Sequence, residues 1–169
     1  MALTRTRMLN RIVGSNAIYM ICDVQDRFRP LIHQMEPVIN KCLLVHKACK
    51  TLNIPCVITE QYSKVFGKTV PDIALYDDTA VFQKKQFSMI TEEVAEMLQG
   101  CGRKQVIVSG IEAHVCVLQS VLDLVEYGFE VHVVADAVSS QRAYDRTIAL
   151  QTMRDTPNVS FTTAESLLF

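Results

Sequence analysis

The sequence lacks several features that would point to particular classes of protein. Its six cysteines form no CxxC pair and no Cys/His spacing typical of a zinc site. No apolar run reaches the roughly 18 residues that span a bilayer, and no signal-peptide core precedes the first predicted strand. We therefore expect free thiols in a reducing intracellular compartment, cytoplasmic or mitochondrial, and no membrane partner.

An excess of basic residues is also missing. The formal net charge is -1, with 17 Lys and Arg against 18 Asp and Glu. Because nucleic-acid binders usually gather basic residues on one face to neutralise phosphates, no nucleic-acid partner is expected. The exception is the segment 1–15, which carries three arginines and no acid. We interpret this segment as a basic surface arm. The alternative interpretation, which we favour less, is a mitochondrial presequence.

Apolar segments alternate with amphipathic ones along the 169 residues, which we interpret as a single domain over 1–169. Strands followed by helices of 10 to 15 residues predict a three-layer α/β fold with a parallel sheet. The predicted strands cover residues 17–22, 55–59, 80–83, 105–109, 130–134 and 159–162, and the main helices cover residues 37–52, 91–98, 115–127 and 140–153.

Polar side chains follow two of these strands, at the sheet edge where α/β sites form. Asp23 comes directly after the first strand, in CDVQDRF, where a carboxylate serves either as a catalytic base or as a loop cap. Lys84 and Lys85 follow the third strand, and strand alternation would point only one of them at the site. At such an edge a lysine is more often a solvated surface residue.

Cys116 differs from the other cysteines in its position. It follows the strongest predicted strand and Gly110, which would permit a sharp turn, and it falls in the first turn of the next predicted helix. Amides at a helix N-terminus stabilise a thiolate and can receive an oxyanion. The alternative is a small buried hydrophobic residue. Four other cysteines are interpreted in that way, namely Cys22, Cys42, Cys49 and Cys56.

The segments CDVQDRF, KKQFSM and GIEAHVCVL occur in this order along the chain. Together they resemble the isochorismatase-like cysteine hydrolases, above all the eukaryotic isochorismatase-domain-containing proteins. The resemblance covers nearly the whole chain, including TEQY at 59–62 and DAVSSQRAYDR at 136–146. Kinetoplastid proteins that the chain also resembles carry a mitochondria-associated ribonuclease label, although no residue considered above supports RNA cleavage.

The resemblance implies a six-stranded parallel sheet in the order 3-2-1-4-5-6 and a catalytic triad of Asp23, Lys84 and Cys116. The family's aromatic-Ser pattern aligns with QFSM and selects the first of the two adjacent lysines. A cis peptide bond is implied between Ile111 and Glu112, and the N–H groups of Glu112 and Cys116 are implied to form an oxyanion hole.

The implied activity is hydrolysis of a small amide or related acyl compound through a thioacyl intermediate. No metal or other cofactor is expected, because TEQYSKVFGKTV lacks the Asp/His cluster of nicotinamidases. Family members form dimers or larger assemblies, so a homo-oligomer is expected. Residues that flank the triad segments are candidates for substrate binding, namely Gln25, Phe28, Gln61, Tyr62, Phe87 and His114.

Two other functions remain open at this stage. The fold could serve as a binding or scaffold protein with an inactive triad, which the intact Asp, Lys and Cys argue against. A ribonuclease would need a basic groove or a metal–carboxylate cluster, and the sequence shows neither.

Overall fold

The structure is a computed structural model that describes residues 11–73, 76 and 79–169. Most of the predicted basic arm, residues 1–10, lies outside the described residues. The strands are β1 Ala17–Cys22, β2 Cys56–Gln61, β3 Ala80–Lys84, β4 Gln105–Ile111, β5 Glu130–Ser139 and β6 Val159–Thr162. The helices are α1 Met35–Thr51, α2 Ser63–Phe66, α3 Glu92–Gly100, α4 Leu118–Glu126, α5 Ala143–Arg154 and α6 Ala164–Leu168.

The strands form one parallel sheet in the order β3-β2-β1-β4-β5-β6, which confirms the predicted fold class and strand order. β1 lies between β2 and β4, and Cys22 at its end pairs with Thr59 on one side and Gly110 on the other. The winding direction of the chain reverses here, between β1 and β4. The residue that follows β1 therefore stands at the switch point of the sheet.

Helices cover both faces of the sheet and create two hydrophobic cores. Every residue of β1 is buried, and its side chains alternate between the two cores. Odd-numbered side chains contact the core under α1 and α6, and even-numbered ones contact the core under α3, α4 and α5. Cys22 thus lies on the same face as α4. No helix among the described residues is long and apolar enough to cross a bilayer.

The predicted elements differ from the observed ones mainly at their ends. β5 continues to Ser139, past the predicted end at residue 134, because it pairs with β4 again after a register shift. The helix predicted over 115–127 begins earlier, in a π-helical turn at Ala113–Val117 that runs into α4. Both differences depend on pairing and packing between distant segments, which a local pattern does not contain.

Gly110 has a different role from the predicted one. It lies inside β4, and its φ of +115° is in the region that favours glycine. A Cβ atom at this position would lie 2.6 Å from the backbone N of Cys22 and closer still to its carbonyl O. The glycine therefore lets β4 approach β1 next to Asp23, where the prediction placed a sharp turn after the strand.

Candidate active site

Asp23 is held at the end of β1 by β2. Its φ of +50° lies in the left-handed region, which Asp tolerates better than most residues. The Asp23 N–H donates to the carbonyl of Thr59 at 3.1 Å, and the Thr59 hydroxyl donates to Asp23 Oδ1 at 2.8 Å. Asp23 is only 1% exposed. The backbone and one carboxylate oxygen are thus fixed, and Oδ2 is left to interact with other groups.

Lys84 supplies the positive charge beside this carboxylate. It is the last residue of β3, and its fully buried side chain places Nζ 2.6 Å from Asp23 Oδ2. Nζ donates to Gln61 Oε1 at 2.6 Å and to the carbonyl oxygens of Phe87 at 2.7 Å and Gln86 at 3.2 Å. The next residue, Lys85, is exposed and lies over the ring of Tyr62.

The acidic groups around Lys84 keep it charged. Burial acts to lower the pKa of its ammonium group, but nearby Cys22, Asp23 and Cys116 raise it, and the net pKa is above its ordinary value. Lys84 therefore acts as a fixed cation. It is not a proton donor near neutral pH.

We expect Lys84→Met to destabilise the fold by about 3–5 kcal/mol, because it leaves the Asp23 carboxylate buried and unpaired. The matched control is Lys85→Met, which removes an exposed charge and should change the free energy of unfolding by less than about 1 kcal/mol. Urea denaturation of the two variants measures the contrast. Equal, small effects would show that the buried ion pair does not matter for stability.

Cys116 also lies close to Asp23. It is 8% exposed and belongs to the π-helical turn before α4. Its Sγ, the Sγ of Cys22 and a carboxylate oxygen of Asp23 all lie within 4.8 Å of one another. The carbonyl of Glu112 accepts the N–H groups of Val115 and Val117, each at 3.1 Å, which anchors the start of the turn. The three segments that carried the family resemblance therefore meet at one point.

Cys22 is a member of this cluster that the sequence interpretation missed. It was assigned to the core as a buried hydrophobic residue, and it is indeed 0% exposed. Its sulfur nevertheless faces Cys116. Burial raises the pKa of the Cys22 thiol, and hydrogen bonding to Cys116 and the charge of Asp23 raise it further. Cys22 is therefore a protonated neighbour of Cys116.

Cys22, Asp23 and Cys116 are also the group of described residues that could supply metal ligands. Two thiols and a carboxylate suit a soft ion such as zinc, which usually has four ligands in structural sites. The Lys84 ammonium lies 2.6 Å from Asp23 Oδ2, however, and its positive charge opposes the binding of a second cation there. The cluster therefore fits a nucleophile and its partners better than it fits a metal.

A cavity of about 300 Å³ opens onto Asp23 and Cys116. Its wall contains three of the predicted binding residues, Phe28, Gln61 and Phe87. The sequence interpretation missed two further wall residues, Phe66 and Val115. The rings of Phe28 and Phe66 stack with their centroids 4.9 Å apart. Ile111 and Glu112 complete the wall, and the peptide bond between them is cis.

The other three predicted binding residues do not line this cavity. Gln25 is buried and hydrogen-bonds the backbone of Gln61 in both directions, so it connects the β1 and β2 ends. Tyr62 is 43% exposed and borders a separate, smaller depression beside Lys85. The Nδ1 atom of His114 lies 3.0 Å from the hydroxyl of Ser140. Gln25 has a structural role, and the other two lie outside the cavity wall.

A larger cavity of about 730 Å³ lies far from these residues, beside β6 and the end of α6. Arg11, His132 and Arg154 contribute polar groups to it, but its described lining residues include no Cys, Asp or Glu. It lacks the combination of a cysteine and a carboxylate present at the end of β1, so the smaller cavity is the candidate active site.

Comparison with known proteins places the chain in a family. The isochorismatase domain profile matches residues 17–166. The chain belongs to the isochorismatase family. A secreted isochorismatase effector, Isc1, of Phytophthora sojae is 42% identical over 97% of this chain and 80% of its own length. Isochorismatase domain-containing protein 2 of Danio rerio is 40% identical over 95% of this chain and 81% of its own length.

A solved relative shares the fold closely. The structure of a protein described as MAR1 ribonuclease from Caenorhabditis elegans superposes with a TM-score of 0.89 and is 39% identical, over 94% of this chain and 82% of its own. Family membership indicates a hydrolase fold. One fold can carry several different reactions, so the chemistry of this chain depends on the residues of its own site.

Proposed function

We propose that this protein hydrolyses a small amide or related acyl compound, with Cys116 as the nucleophile and Asp23 as the base. The observation that carries the proposal is the convergence of a cysteine, a carboxylate and a buried lysine at one cavity. A hydrolase that attacks a carbonyl needs these groups within reach of one another. The Lys84 ammonium holds the carboxylate in place and balances its charge.

In the first half of the reaction, Asp23 Oδ2 accepts the proton of the Cys116 thiol and the thiolate attacks the substrate carbonyl carbon. The resulting oxyanion accepts hydrogen bonds from the backbone N–H groups of Glu112 and Cys116. The protonated Asp23 then gives its proton to the leaving amine. The carbon–nitrogen bond breaks, and the acyl group stays on sulfur as a thioester.

In the second half, a water molecule gives a proton to Asp23 and attacks the thioester carbon. The tetrahedral intermediate collapses, the carbon–sulfur bond breaks, and Asp23 returns the proton to the departing thiolate. The carboxylic acid product and the free thiol result. Cys22 stays protonated throughout, because burial and its acidic neighbours raise the pKa of its thiol.

The cavity argues against the two alternatives. Phosphodiester cleavage would need cationic side chains around a phosphate, yet no Lys, Arg or His is among the described residues that line this cavity. The nearby Lys84 is fully buried and already paired with Asp23, Gln61 and the carbonyl of Phe87. Burying the Asp23–Lys84 ion pair beside a cysteine costs desolvation energy, and an inactive scaffold protein would not need that arrangement. Both observations favour acyl chemistry.

We further propose that residues 1–169 form a single domain, that it assembles as a homo-oligomer, and that it works without a metal in a reducing intracellular compartment. The family profile over 17–166 supports the single domain. Exposed apolar side chains support assembly, among them Leu52 at 64% and Tyr144 at 74%. All six cysteines lie among the described residues and are free thiols, which fits the compartment.

Alkylation tests the nucleophile. We expect iodoacetamide to label Cys116 much faster than Cys101 between about pH 5 and 8, since the Asp23 carboxylate lies beside the Cys116 thiol and can accept its proton. Burial raises the pKa of Cys42 to about 11 and that of Cys49 to about 12, so both should stay protonated and unlabelled in this range. Peptide mass spectrometry measures each rate.

A pair of lysine variants tests whether the labelling rate of Cys116 depends on the charge of Lys84. Lys84→Ala should slow labelling of Cys116, because it removes the stabilising cation, whereas Lys85→Ala should not. If Cys116 reacts no faster than Cys101, the nucleophile assignment is wrong and the scaffold function takes its place.

A further inference from the structure

The wall of the active-site cavity is mostly apolar. Its volume of about 300 Å³ is at the lower end of the range for small-molecule sites. Five of the nine wall residues have hydrocarbon side chains, namely Phe28, Phe66, Phe87, Ile111 and Val115, and the others are Asp23, Gln61, Glu112 and Cys116. Three aromatic rings around so small a space favour a flat or apolar group.

The described residues place no free cation on the cavity. Those of them that line it include no Lys, Arg or His. Lys84 lies behind the wall with its side chain 0% exposed. Its ammonium group has three protons and four oxygen neighbours, on Asp23, Gln61, Gln86 and Phe87, at 2.6 to 3.2 Å. It has no proton left for a carboxylate on the substrate.

The Asp23 carboxylate brings a negative charge to the cavity. Glu112 also lines the cavity, but its carboxylate is engaged elsewhere, because Oε2 accepts the N–H of Gln141 at 2.8 Å and lies 3.9 Å from His114 Nδ1. An anionic group placed here would lose its hydration and lie near the Asp23 carboxylate, without a compensating cation among the described lining residues. The site therefore disfavours anions through both its apolar surface and its charge.

We propose that the substrate of this site carries an uncharged, apolar or aromatic group next to its carbonyl, and that substrates with a carboxylate there are excluded. The inference rests on the proposed function and specifies its substrate class. Because the cavity is small, the group accommodated is of about the size of one aromatic ring.

Three alkylating probes of known charge and size test this directly on the 169-residue chain. Iodoacetamide is neutral, iodoacetate is similar in size but anionic, and iodoacetanilide adds a phenyl ring. In each case the Cys116 thiolate displaces iodide and forms a thioether, so the chemistry is constant. Cys101, a partly exposed thiol at the end of α3, is the internal reference for the intrinsic reactivity of each probe.

We expect the preference for iodoacetamide over iodoacetate to be at least about tenfold greater at Cys116 than at Cys101, because of the cost of burying an unpaired anion. The preference for iodoacetanilide over iodoacetamide should likewise be roughly tenfold greater at Cys116, because the phenyl ring is removed from water. Peptide mass spectrometry at short labelling times gives all six rates.

Two variants of the short helix α2 provide a matched pair. Phe66→Ser removes a ring from the cavity wall and should reduce the anilide preference at Cys116 severalfold. Val65→Ser changes the preceding residue, which is 42% exposed and does not line the cavity, and should leave that preference unchanged.

The outcomes distinguish the proposed function, with Cys116 as the nucleophile, from the proposed substrate class. Fast iodoacetamide labelling of Cys116 with discrimination against iodoacetate supports both proposals. Fast labelling of Cys116 by iodoacetate, or no gain from the phenyl ring, overturns the substrate class and leaves the nucleophile in place. If iodoacetamide itself labels Cys116 no faster than Cys101, the proposed function fails, and the substrate class fails with it.

Discussion

Replacing Cys116 with serine is expected to reduce hydrolysis of any amide or activated ester that the wild type turns over by on the order of 10³-fold or more. A serine hydroxyl is far less acidic than a thiol, so the Asp23 carboxylate, which lies within 4.8 Å of the Cys116 sulfur, would remove its proton much less readily. The fold should survive, because serine is slightly smaller than cysteine and the site borders a cavity. Product formation against a panel of small neutral amides and aryl esters measures the effect.

Cys101→Ser is the matched control for this variant. Cys101 lies at the end of α3, outside the active-site cavity, and its replacement should leave the rate within about twofold of wild type. If Cys116→Ser retains the wild-type rate, the reaction does not pass through a thioester on this residue, and the proposed mechanism is contradicted.

Gly110→Ala is expected to destabilise the protein by more than about 4 kcal/mol, or to prevent folding. The new Cβ would collide with the backbone of Cys22, at 2.6 Å from its N. Backbone atoms in the centre of a sheet cannot rotate away as a flexible side chain can. The φ of +115° adds strain for a residue other than glycine. Chemical denaturation, or the soluble yield if the variant does not fold, measures the loss.

Gly128→Ala separates the collision from the backbone strain. Gly128 also has a positive φ, +82°, but a Cβ there meets no atom within 4 Å. Its replacement should cost only the strain, about 1–3 kcal/mol. If both variants lose the same stability, the close approach of β4 to β1 is not what requires glycine at position 110.

Much of the fold could be predicted because local patterns determine it. β1 was predicted with its observed bounds, Ala17–Cys22, since a strand buried on both faces is a continuous apolar run. The length of β5 could not be predicted in this way, because its second half pairs with β4 only after a register shift. The π-helical turn at Ala113–Val117 likewise depends on how the chain leaves β4.

The convergence of Asp23, Lys84 and Cys116 could be predicted from the family resemblance together with the strand order. Sequence position alone makes Asp23 and Cys116 candidate site residues and does not distinguish Lys84 from Lys85. In the structure, the two lysine side chains point to different places. Lys84 Nζ is 2.6 Å from Asp23 Oδ2, whereas Lys85 Nζ lies over the exposed ring of Tyr62.

The residues that sequence reasoning missed are those whose neighbours are distant in the chain. Cys22 had a usable signal, since strand alternation puts it on the face opposite Ile21, but nothing local showed that α4 covers that face. Phe66 reaches the cavity through the short helix α2, which the sequence pattern did not predict. Gln25 is predicted to line the substrate pocket because it lies near Asp23 in the sequence. Its side-chain amide instead hydrogen-bonds the backbone of Gln61 and so links the ends of β1 and β2.

The measurement that tests the central claim most directly is the capture of the acyl group on Cys116. The wild-type protein is mixed with an aryl ester or thioester of a small neutral acid, quenched in acid within its first turnover and analysed by intact-mass and peptide mass spectrometry. The account predicts a mass increase equal to the acyl group, on the peptide that contains Cys116, which decays as free acid appears and is missing in Cys116→Ser. Turnover with no adduct at Cys116, or with the same adduct in Cys116→Ser, would contradict it.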